Sequence, residues 1–255
     1  MKQKLRPVAL KVHHAVSMRH PVAWVVRPPA ALGWIDTMTN KTTDKFARQL
    51  IDCLQRFGAM QSNPVLHLLE KQAPVANSRY PEEAIGFGDD TWRVFYHCHD
   101  STDQPSDEHG HFHFFTRSRS ADDDVTAWSH LVALSMDKMG QPLQWFMVNQ
   151  WVTDGDWYRN EWLDSSFQQL ARAHENGLLE QWCQSLLYLY KEEIAYLLRQ
   201  RDKNLAFLCN SDNLGACFQD RDIYLLSIET VSLVEKLQQQ LDTDIKTQDR
   251  NGDVA

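Results

Sequence analysis

From Thr42 to Phe57 the apolar residues recur at helical spacing: Phe46, Leu50, Ile51 and Leu54 fall on one stripe. Thr42 or Thr43 can cap the start and Gly58 sits just past the end, so the pattern predicts an amphipathic helix. A second short helix is expected over Pro64 to Lys71. Residues 72–90, rich in Pro, Gly, Glu and Asp, are read as a loop.

The period then switches to two. Alternating segments at about Trp92–His99, His109–Arg117, Ala127–Asp137 and Leu143–Val152 predict four strands with short connections, hence an antiparallel meander. Gly140 marks a tight turn between the last two. On the third strand, strict alternation puts Trp128, His130, Val132, Leu134 and Met136 on one face. Leu131, Ala133, Ser135 and Asp137 go to the other, whose small residues leave room over the sheet.

Beyond Gly155 the helical period returns. Asp164–His174 is one candidate. Leu178–Arg201 is the longest, with Leu179, Trp182, Leu186, Leu189, Tyr190, Ile194 and Leu197 as its buried stripe. Asp222–Ile228 is a candidate fifth strand, followed by a helix to about Leu241. The expected class is α+β: an antiparallel meander of four to five strands flanked by N- and C-terminal helices. Residues 1–40 are read as a basic, loosely ordered arm, 41–241 as a single domain and 242–255 as a disordered tail.

Composition narrows the class. At 255 residues the chain can bury a substantial core, and a net charge of −8 excludes a broad basic face for nucleic acid. No stretch is long and apolar enough to span a membrane, since Pro21–Trp34 is broken by Arg27, Pro28 and Pro29. The five cysteines, Cys53, Cys98, Cys183, Cys209 and Cys217, are scattered and form no CxxC pair. They are expected to be free thiols in a reducing cytoplasm. The tryptophans Trp145, Trp151, Trp157 and Trp162 are expected to pack between sheet and helices.

The chemistry concentrates in the first two predicted strands. Six of the eleven histidines lie between positions 97 and 130. His97 and His99 share a face of the first strand; His109, His111 and His113 share a face of the second. If His99 lies opposite His109, then His97 lies opposite His111 and all five converge on one side. A slip of one residue would separate them. Three readings follow. Neutral imidazoles at i and i+2 on neighbouring strands suit a transition-metal ion (Fe, Zn or Cu), with Glu108 or Asp137 as base or carboxylate ligand. The segment HGHFHFF (His109–Phe115) resembles the signature of the histidine-triad nucleotide hydrolases and transferases, which implies His111 as nucleophile. The bland reading is histidines tolerated on a half-exposed sheet face. A small-molecule substrate fits the first two; a non-catalytic binding module is the alternative class.

Five longer segments carry a further resemblance: FYHCHD (Phe95–Asp100), EHGHFHFFTR (Glu108–Arg117), WSHLVALSMDKMGQP (Trp128–Pro142), VNQWVTDGDW (Val148–Trp157) and FQDRD (Phe218–Asp222). In order and spacing they resemble an uncharacterised bacterial domain family, one of the domains of unknown function. The resemblance implies no activity. It implies that His97, His99, Glu108, His109, His111, His113, His130, Asp137, Asn149 and Trp151 occupy the family's shared motif positions.

Overall fold

The structure is a computed structural model. It describes residues 37–70, 72–98, 107–117, 128–153, 156–158, 160–209 and 214–240. The expected arm and tail fall almost wholly outside these residues, apart from 37–40, which begin the first helix.

A helix α1 (Thr37–Ala59) and a short α2 (Pro64–Leu68) lead into the sheet. Asn63 caps α2 by accepting the Leu66 N–H at 2.9 Å, with Pro64 in its first turn. The strands are β1 (Arg79–Phe87), β2 (Trp92–His97), β3 (Gly110–Thr116), β4 (Ser129–Met136) and β5 (Pro142–Val148). After α3 (Gln150–Thr153) come the two-residue strand β6 (Asp156–Trp157) and the helices α4 (Leu163–Arg172), α5 (Leu178–Leu189), α6 (Lys191–Leu208) and α7 (Leu214–Phe218). Strand β7 (Leu225–Thr230) and a helix over 233–240 follow.

The sheet order is β1-β2-β3-β4-β5-β7, all neighbours antiparallel, with β6 parallel to β4. The α+β class and the central meander are as the alternation predicts. Residues 72–90 are not all loop, because β1 adds a strand at the edge. Pro81, Glu82 and Glu83 obscured it: an edge strand tolerates proline and charge that a central strand cannot. The expected long helix is two. The chain breaks at Tyr190 (φ −100°, ψ 16°), yet Leu186, Ile194 and Leu197 on either side enter one core, so the apolar stripe runs across the break unmarked.

One face of the sheet carries that core. Val94, Tyr96, Phe112, Phe114, Leu134, Trp145 and Met147 pack with Phe46 and Leu50 of α1, Phe167 of α4, and Trp182 and Leu186 of α5. Trp145 is fully buried there and Trp162 packs against the same cluster, as expected. Trp151 is instead half-buried against Tyr224 and Arg221, and the Trp157 side chain lies outside the described residues. Burial of such a large aromatic face supplies the main driving force for folding. The opposite face of β2, β3 and β4 is left for the histidines.

Two expectations are corrected. Cys209 and Cys217 form a disulfide, with Cα atoms 6.0 Å apart, so only Cys53, Cys98 and Cys183 are free. Cys209 caps the end of α6 and Cys217 lies in α7 eight residues on, a local pairing that no CxxC spacing marks. With one pair oxidised, the cysteines do not point to a reducing compartment. Among the described residues no helix is long and apolar enough to cross a membrane.

Candidate metal centre

Strand register decides whether the histidines meet, and it brings three together. His97 of β2 pairs directly with His111 of β3, and Phe95 pairs with His113. Directly opposed residues of an antiparallel pair face the same way, so His97, His111 and His113 share one face. On β4, Ser135 stands opposite His111 and Ala133 opposite His113. Both small side chains are fully buried, Ser135 beneath Glu108 and Ala133 against Phe146 and Tyr224. One ring nitrogen of each of the three histidines lies within 4.8 Å of the others. His111 and His113 are buried and His97 is partly exposed.

The second nitrogen of two of these rings is held. His111 Nδ1 lies 2.8 Å from Glu108 Oε1, and Ser135 Oγ donates to Glu108 Oε2 at 2.6 Å. A carboxylate acceptor keeps the proton on Nδ1, so Nε2 is the unprotonated nitrogen of His111. That Nε2 is sealed from solvent. His113 Nδ1 lies 3.1 Å from His130 Nε2. Burial, then the charges of His111 and Arg201, push the His130 pKa down to about 3. The neutral His130 ring can therefore accept a hydrogen bond from His113 Nδ1, which leaves Nε2 as the unprotonated nitrogen of His113. Phe146 packs edge-on against the His111 ring, 5.3 Å between centroids.

His130 was expected on the core face with Val132 and Leu134. A β-bulge between Phe114 and Phe115 corrects this: Phe114 pairs with Val132, but Phe115 pairs with His130. The extra residue, Leu131, enters the core, and His130 turns to the histidine face.

The other predicted residues are placed differently. His109 precedes β3, and its Nδ1 lies 2.7 Å from Tyr96 Oη, with the two rings stacked. Tyr96 belongs to the core face, so His109 is not grouped with the three. Burial, then the Lys138 charge, lowers its pKa. Asp137 Oδ1 accepts the backbone N–H groups of Met139 and Gln141 at 2.8 and 2.7 Å, fixing the β4–β5 turn. His99 lies outside the described residues.

Tyr224, which the sequence did not single out, packs with Ala133, Phe146 and Val148 on the histidine face. Burial, then the Glu108 charge, pushes its pKa up to about 12. Its segment is clamped by two motif residues. Buried Asn149 donates from Nδ2 to the carbonyls of Cys217 and Ile223 at 2.8 and 3.0 Å, and Trp151 Nε1 donates to Ile223 O at 2.9 Å. The Asn149 N–H also donates to Tyr224 O. The distant VNQWVTDGDW and FQDRD segments are thus one structural unit bordering the site.

No curated protein and no solved structure matches this chain. The model of one protein family, described as a domain of unknown function (DUF6969), matches residues 44–231, which include every strand and both ends of the histidine cluster. The chain belongs to that family.

Proposed function

We propose that this protein is a transition-metal protein, and an enzyme, whose ion is held by Nε2 of His111 and His113 and one ring nitrogen of His97. The observation that carries this is the paired restraint on the cluster: three imidazoles converge, and two of them have Nδ1 fixed by Glu108 and by neutral His130. Orienting partners of this type are what ligating histidines require.

Three protein ligands with no fourth among the described residues suit a catalytic site, in which a further position is left for water or substrate. An ion so bound supplies Lewis acidity or an activated water at neutral pH. Glu108 holds His111 in the ligating tautomer, Ser135 holds Glu108, and Tyr224 closes the neighbouring wall. Asp137 is assigned to the turn and His109 to Tyr96. The geometry favours ligation over nucleophilic attack at His111, whose Nε2 is buried among imidazoles and whose neighbour His109 turns to the opposite face.

Cobalt(II) titration of protein without a histidine tag tests this. One equivalent should give d–d bands, weakened in H97A and H113A. Azide should perturb them if a coordination position is open; bands insensitive to azide would favour a non-catalytic module, and no bands would reject the metal reading.

A further inference from the structure

The histidine face continues toward the edge of the sheet as a ladder of arginines and aromatic rings. Arg79 of β1 pairs with His97, and Arg93 of β2 pairs with Phe115, so both lie on the same face as the three histidines. The Arg79 guanidinium lies 4.1 Å from the centre of the Phe95 ring. Phe95 stacks on Phe115 at 5.6 Å, and Arg93 lies 4.9 Å from Phe115 and 4.6 Å from Trp128. Phe95 in turn lies 5.1 Å from the His113 ring, so the ladder begins one ring away from the cluster.

Neither Arg79 nor Arg93 forms an ion pair among the described residues. The third arginine nearby, Arg117, is committed to Asp90. Arg93 Nε is buried and has no hydrogen-bond partner. A buried guanidinium N–H left unbonded is costly, and such exceptions call for an explanation. The three like charges also oppose one another, and burial and then the charges of Arg79 and Arg117 lower the Arg93 pKa. Stacking uses only the flat face of a guanidinium. Its five donors lie in the plane at the rim and match the oxygens of a phosphate or carboxylate.

We propose that Arg79 and Arg93 form an oxyanion subsite that holds the phosphate or carboxylate group of a small-molecule substrate beside the histidine cluster. The subsite deepens the metal-centre reading and rests on it for the adjoining chemistry, but its own existence is tested separately. The aromatic floor of Phe95 and Phe115 fixes both guanidinium planes, so binding the anion costs little side-chain entropy.

The test is calorimetric titration of the full chain at low ionic strength with inorganic phosphate and with acetate, for wild type, R79M, R93M and H111A. Methionine keeps much of the stacked length and removes the donors. Arg79 is exposed on an edge strand, so R79M serves even if R93M fails to fold. At least one anion should bind wild type and H111A alike and lose tenfold or more in affinity in R79M and R93M; which anion binds identifies the group. Binding of neither anion to wild type, or undiminished binding in folded R79M, overturns the subsite. Phosphate binding that depends on His111 and not on the arginines assigns the anion to the metal and also overturns it. Metal content measured on the same samples reports on the centre independently.

Discussion

Glu108 and His111 are joined at 2.8 Å, carboxylate oxygen to Nδ1, with both side chains nearly sealed from solvent. Glu108 is also fixed to β4 by Ser135. If this pair orients the ligand ring, E108Q should bind metal about 10- to 100-fold more weakly. The protein should still fold, because the amide oxygen can accept from Nδ1. Competition against a chromophoric chelator measures the loss; an unchanged affinity would remove Glu108 from the centre.

Gly110 sits where β3 meets β2. A Cβ there would lie 2.6 Å from His97 O and from Tyr96 Oη. G110A should therefore push the strands apart beside the His97–His111 pair. The expected cost is about 1–3 kcal/mol in urea denaturation, the range for overpacking, together with weakened metal binding. A neutral substitution would show that the close approach is relaxed in solution.

Phe112 alternates with His111 and His113 but points into the core, against Tyr96 and Trp182. F112A should cost about 3–5 kcal/mol of stability. H113A, on the opposite face, should chiefly lower metal content. Equal losses of both properties in both variants would contradict the division of the strand into a structural and a chemical face.

Asn149 anchors the segment that carries Tyr224. N149A removes the buried amide that donates to the carbonyls of Cys217 and Ile223 and should cost about 1–3 kcal/mol. Hydrogen exchange should show faster opening over 214–224 than elsewhere. Protection unchanged in that segment would mean the clamp is redundant.

The disulfide gives a simple count. Denatured, unreduced protein should titrate three thiols, and reduced protein five. Five before reduction would restore the expectation drawn from the scattered cysteines.

The meander was legible because β2 and β3 alternate between core residues and the histidine face, β4 and β5 are short apolar segments, and Gly140 marks the turn between the last two. The register was legible as a condition: opposing His97 to His111 was needed for a shared face, and that pairing is found. Other features lay outside what a regular period can report. The bulge at Phe114/Phe115 shifts the alternation by one, which moved His130 to the site and Leu131 to the core. His109 continues the alternation on paper, but it precedes the strand and is drawn to Tyr96. Arg79 belongs to an edge strand written in proline and glutamate. Tyr224 meets the site through contacts with residues far from it in sequence, and the disulfide joins two cysteines eight residues apart whose spacing matches no CxxC pattern.

Elemental analysis of wild type and of the H97A/H111A/H113A variant, purified without a histidine tag and dialysed in parallel, tests the central claim most directly. The account predicts close to one equivalent of a transition metal in wild type and almost none in the variant. Equal metal content in the two, or a wild type that neither carries nor takes up a metal when offered one, would contradict it.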